Sequence, residues 1–423
     1  MPKTVRRRGS RVLWLGLVAA GAWAASCGRT PGEEPAAADA AACAERGGPI
    51  DRFKELLVVD EGVLASGLGG NADGDPLSFR HLMEQLAPPG VAPADFVLAW
   101  LDSFAEEGRV NQYAVPPRPG VNERLTCPWL RRTPDNRCDD ACSACAARTL
   151  DLARAPFRLI GLSNRIDFRE TKDWGGAGES RALFALVDGA GDDPAAAPQA
   201  MTVAFEFRNP IGGGRDAKYW AERWHELGRF EAGAPAYVEA LVALYRDIVE
   251  RTDDPVASEG SWLHQLRTNE NVFAPTWDYR EFKLKDGRLT LWPTERTPDR
   301  SLNGTDRLAR FVLVNRDDVL RSRYDLPANL TGGFARADAR WSLPGVDEAL
   351  RHEFARETCD GCHNSETASV DASFHLSPFR SGRERVSRYL HDPDDPAGDT
   401  LARRERAMRR ALCGESPAAA LAE

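Results

Sequence analysis

The chain has 423 residues, 42% hydrophobic and 28% charged, with a formal net charge of -9. That balance suits folded, water-facing domains, and the length exceeds one simple core, so two or three domains are expected. No basic block stands out beyond the N-terminus, which argues against nucleic acid as a partner.

Residues 1–26 read as a signal peptide. Arg6-Arg7-Arg8 and Arg11 precede an apolar stretch, Val12 to Ala25, too short to span a membrane comfortably. Ala24-Ala25-Ser26-Cys27 then has the form of a bacterial lipobox, with Cys27 as the acylated residue, although Ala24 stands where leucine is usual. The alternative is a plain secretory signal with an incidental cysteine. Either way the mature protein is expected in the cell envelope, lipid-anchored in the periplasm, on the outer membrane or at the cell surface. Residues 27–48 are rich in Ala, Pro, Gly and Glu and read as a disordered tether.

From Ile50 the periodicity is helical. Phe53, Leu56 and Leu57 share a face, as do Leu82 and Leu86, and 49–150 is expected to be mainly helical with a Cys-rich loop. Residues 151–343 change period. Met201, Val203, Phe205 and Phe207 alternate with polar neighbours, as a half-buried strand does. Phe282 and Leu284, then Asp286-Gly287, then Leu289 and Leu291 read as a hairpin. Phe157 to Phe168 and Ala182 to Val187 are further strand candidates. Trp220, Trp224 and Leu227 mark one helix, and Tyr237, Leu241, Tyr245 and Ile248 another. An antiparallel sheet with packed helices follows, an α+β fold. Pro344-Gly345 opens a third, helical stretch, 344–423, in which Leu401, Met408 and Leu412 share a face of the last helix.

The chemistry sits in the cysteines. Cys359-Asp360-Gly361-Cys362-His363 has the C-x-x-C-H spacing of covalent haem attachment. Two thiols three residues apart reach the two vinyl groups of one porphyrin edge, and the following histidine becomes the proximal iron ligand. Export agrees, because haem is attached outside the cytoplasmic membrane. The alternatives are a disulfide or a zinc-binding pair. His375, flanked by Phe374 and Leu376, is the candidate distal ligand; His391 and Met408 compete, with Met408 favoured as a core residue. Cys127, Cys138, Cys142 and Cys145 are expected to form disulfides in an oxidising compartment, with zinc as the other reading.

A polar constellation has no assigned role. Arg165, Asp167, Arg169, Glu179, Glu206, Arg208, His225, Arg267, Glu270, Arg280 and Glu281 either line a pocket or form a structural ion-pair network, and the network is favoured.

Pro156-Phe157-Arg158-Leu159, Asn164-Arg165-Ile166-Asp167, Trp224-His225, Leu266-Arg267-Thr268-Asn269-Glu270, Thr297-Pro298 and the segment Thr358 to Thr367 stand in this order. Together they resemble a family of exported proteins of GC-rich Gram-negative bacteria that has no established activity. The likeness runs over nearly the whole mature chain. It implies that the haem-type motif and the central region form one unit. The haem segment alone also resembles c-type cytochromes. The expected function is that of a lipid-anchored protein with one covalent haem c, moving electrons to or from an unnamed redox partner or serving an oxidoreductase. The alternative is a non-catalytic envelope lipoprotein whose Cys359–Cys362 pair is a disulfide or a metal site.

Overall fold

The computed structural model describes residues 48–415, apart from 65–73, 134–135, 140–141, 143, 171–175, 192, 194, 275–276, 322–323, 338–339, 365, 368–373 and 398. Residues 1–47, with the segment read as a signal peptide, Cys27, Cys43 and all but the last residue of the expected tether, lie outside the described residues.

The strands are β1 (Leu57–Val58), β2 (Gly108–Val110), β3 (Tyr113–Val115), β4 (Phe157–Arg165) and β5 (Glu179–Val187). They continue with β6 (Pro198–Arg208), β7 (Leu263–Asn269), β8 (Asp278–Lys285), β9 (Arg288–Trp292) and β10 (Phe334–Arg336). All but β2 and β3 join one eight-stranded sheet, ordered β1-β4-β5-β6-β7-β8-β10, with β9 also on β8. Every pairing in it is antiparallel. The two short strands divide one edge of β8: β9 takes Glu281–Lys285 and β10 takes Asp278–Arg280. The expected hairpin is present, with Asp286 and Gly287 both at positive φ, 51° and 71°. That is the backbone sense a two-residue hairpin turn requires.

One face of the sheet carries the apolar core. Phe184 and Phe205 lie edge to face against Phe79, and Phe157 stacks on it at 4.5 Å. Helices cover this face: α1 (Phe79–Leu86), α2 (Pro93–Asp102), α3 (Ala217–Glu226) and α4 (Pro235–Val249). α1 begins where the Ser78 hydroxyl accepts from the His81 amide at 2.9 Å, and buries Phe79, Leu82, Met83 and Leu86. The stretch 49–150 holds short helices joined by turns and loops, with β1 and the β2–β3 hairpin among them, and the described residues of 132–150 form no helix. Leu57, read with Phe53 and Leu56 as part of a helical face, instead begins β1 and pairs with Ser163. The run Leu57-Val58-Val59 is β-prone and completes the sheet edge next to β4.

The C-terminal stretch packs against the opposite, polar face. It follows α5 (Asp306–Val314) and holds α6 (Glu348–Glu357), the single turn α7 (Cys359–Cys362) and α8 (Thr400–Leu412). Leu350 and Phe354 of α6 join Trp341 and Tyr324 in a second apolar cluster. Leu401 and Met408 of α8 belong to the same main core as Leu56 and Phe205. Among the described residues no helix is long and apolar enough to cross a membrane.

Candidate functional site

Register determines what lines the polar face. Ser163 pairs with Arg181, Arg181 with Glu206, Glu206 with Gln265, Ala204 with Arg267 and Asn269 with Tyr279. Directly opposed residues on neighbouring strands share a face, so these side chains form one continuous floor. The alternation in β6 therefore does not divide core from solvent: Glu206 is buried, and its side faces a cavity of about 540 Å³ roofed by the C-terminal stretch. That volume is in the range of small-molecule and cofactor sites. Cys359, Cys362, His363, Phe374, His375 and Tyr389 line the same cavity.

The turn bearing the thiols is pinned on every side. Thr358 ends α6 and caps α7, donating to the Ala355 carbonyl at 2.6 Å and accepting from the Gly361 amide at 3.1 Å. A Cβ at Gly361 would run into that carbonyl, so the residue just before Cys362 has to be glycine. Buried Asp360 accepts from Trp341 Nε1 at 2.9 Å and from Arg300 at 3.0 Å. The Cys359 amide donates to Thr297 Oγ1 at 2.9 Å.

Cys359 and Cys362 are free thiols. The other described cysteines are all in disulfides: Cys127–Cys142, Cys138–Cys145, and Cys413. The disulfide expectation for the first four holds. The Cys138, Cys142 and Cys145 sulfurs also lie within 4.8 Å of one another, a grouping that could hold a metal ion if the bridges were reduced. Burial pushes the Cys359 thiol up to about 12 and the Cys362 thiol up to about 11. With no metal or base acting on them, burial keeps both in the neutral thiol form.

The two histidines share a stack of four rings. Trp277 lies against His363 at 5.0 Å, His363 against His375 at 4.2 Å, and His375 against Tyr389 at 4.8 Å. His375 Nε2 is 3.4 Å from Cys362 Sγ, and its Nδ1 is 3.3 Å from Ser387 Oγ. Burial, with His363 alongside, drives His375 well below the usual imidazole range, so it is neutral, the form that binds metals. Neither competitor for the distal position is among the cavity-lining residues. Met408 is fully buried in the main core. His391 pairs through Nδ1 with Asp399 at 2.9 Å and meets Phe53 edge to face.

Two free thiols three residues apart, with one imidazole directly after the second and another stacked against it, are the residue types that covalent haem attachment would use. The distal side fits less closely. His363 and His375 lie ring on ring, and His375 Nε2 faces Cys362 Sγ, so no space for a porphyrin lies between the two imidazoles and His375 would have to swing away to act as the distal ligand.

The polar constellation divides by strand parity. Arg165, Asp167, Glu206 and Arg267 line the cavity and are also ion-paired, so pocket and network are one structure there. Arg181 bridges Glu179 and Glu206, and Arg267 reaches Glu281 at 3.2 Å and Glu295 at 3.3 Å. Burial pushes Glu179 up to about 7 despite Arg181. Glu206 is also penalised by burial but is held low by Arg181 and Arg267. Glu270 and Arg280 point the other way and form a separate buried knot with Arg118. His225 pairs with buried Glu55 at 2.6 Å, well away from the cavity lining.

Sequence reasoning did not place Trp277, Tyr389, Arg403 or Arg404 in the site. Arg404 carried a signal: it falls between Leu401 and Met408 on the apolar stripe of α8, where a charge needs an interior partner. No family model, curated protein or solved structure matches this chain.

Proposed function

We propose that this chain is an exported, lipid-anchored protein carrying one covalent haem c, which moves electrons or serves an oxidoreductase outside the inner membrane. The observation that carries the reading is the pair of free thiols. In a chain whose other described cysteines are oxidised, Cys359 and Cys362 stay unbonded on the wall of a cofactor-sized cavity, with His363 beside them. Cys359 and Cys362 would hold the porphyrin, His363 would be the proximal ligand and His375 the distal one. Such a group supplies one-electron chemistry at neutral pH.

The residues around it have definite tasks. Trp277 and Tyr389 fix the planes of the two imidazoles. The sheet floor supplies buried, paired charges, and their fields would bear on the cofactor's potential. The test is a visible spectrum and haem staining of protein exported from a host with haem-maturation machinery. A colourless chain with bridged or metal-bound thiols would return the reading to a non-catalytic envelope lipoprotein.

A further inference from the structure

The cavity is strongly unbalanced in charge, with nine arginines among its lining residues against four carboxylates. Much of the excess gathers at one place. Arg165 holds Asp167 in a two-pronged pair at 2.9 and 3.0 Å while lying over the Phe168 ring at 3.6 Å. Arg403 approaches the same carboxylate at 3.6 Å. Arg404 donates through one terminal nitrogen to Ser163 Oγ at 2.8 Å. Its Nε stays 4.0 Å from Asp167, beyond hydrogen-bond reach, and is buried with no hydrogen-bond partner. Three guanidinium groups thus surround one carboxylate.

Arg404 is 3% exposed and borders the cavity. A buried cation with an unanswered donor is costly unless something completes its shell. Burial and the neighbouring Arg165 drive Arg404 well below the usual guanidinium range, as expected of a cation crowded by cations. Planar guanidinium forks match carboxylate and oxyanion geometry.

We infer that Arg165, Arg403 and Arg404 form a binding site for one carboxylate or oxyanion group at the His375 side of the cavity. Two sources present that chemistry: a carboxylate of a porphyrin held at Cys359 and Cys362, or a small free oxyanion. The site itself does not depend on the haem reading, because its residues are in place without it.

The experiment titrates the full chain with inorganic phosphate at constant ionic strength set by chloride, following heat and thermal unfolding. It compares the matured protein with the Cys359→Ser/Cys362→Ser form, which cannot attach haem. Saturable binding by both forms supports a site for a free anion. Binding only by the thiol-less form supports a porphyrin carboxylate as the resident group. Arg404→Gln should weaken phosphate binding at least about tenfold in whichever form binds. Arg403→Gln, at a side chain 54% exposed, repeats the test without disturbing the core. Absence of phosphate binding above the chloride background in both forms would overturn the inference. So would a folded Arg403→Gln chain that binds as wild type does.

Discussion

His363 and His375 lie with ring centroids 4.2 Å apart, tilted by 40°, each backed by a second aromatic ring. The pair sits between the sheet and the C-terminal roof, so the thiols, the imidazoles and the charged floor form one chamber.

The first prediction concerns the distal position. His375→Ala should convert a low-spin, six-coordinate spectrum to high-spin while the haem stays attached. His391→Ala should leave the spectrum unchanged, because that ring is engaged by Asp399 and Phe53. Met408→Ala should also leave it unchanged but cost about 2–5 kcal/mol of stability, as loss of a buried core side chain does. A spectrum that responds to His391→Ala or Met408→Ala and not to His375→Ala would move the ligand.

The Cys-rich loop is held by its bridges. Cys127 and Cys142 are 15 residues apart, and closing a loop of that length restricts the unfolded chain by about 3 kcal/mol. Cys127→Ala/Cys142→Ala should lower unfolding free energy by that order in a denaturant titration. Peptide mapping without reduction should recover Cys127 linked to Cys142 and Cys138 linked to Cys145. Recovery of the four as free thiols binding zinc would refute the pairing.

Glu179 gives the chain a pH signature. Its folded-state pKa is raised from 4.5 to about 7 by burial, so the folded chain binds more protons than the unfolded one across that window. Stability from this group is complete below about 4.5 and is lost as pH rises toward 7, with a slope of at most about 1.4 kcal/mol per pH unit. Glu206, held low by its arginines, contributes with the opposite sign, its share lost as pH falls. Glu179→Gln should flatten the decline between pH 4.5 and 7 in unfolding titrations. An unchanged slope would show that Glu179 is ionised throughout.

For the anchor, Cys27→Ala should release the exported protein from membranes into the soluble fraction. Wild-type protein already soluble after export would remove the lipid from the account.

How much of this was legible from the residues differs by element. The β8–β9 hairpin was readable because Asp286-Gly287 names its turn, and β6 because its alternation is clean. β7 was not read as a strand. Its cavity face is Gln265, Arg267 and Asn269, and polar residues facing a cavity look like a surface to any reading of hydrophobic periodicity. The same inversion hid the role of Glu206, whose side of β6 was read as the exposed one. His375 was legible from its apolar neighbours, whereas Trp277 and Tyr389 enter the ring stack only through tertiary packing. The fold-level pattern was carried by the core face, and the candidate site by residues that break it.

The most direct measurement is haem staining on a denaturing gel of the full chain exported from a host with haem-maturation machinery, read beside its visible spectrum. The account predicts a red protein with a Soret band whose stain survives denaturation in the wild type and disappears in Cys359→Ala/Cys362→Ala. A folded, exported, colourless wild-type chain with no stain, its two thiols free or joined to each other, would contradict it.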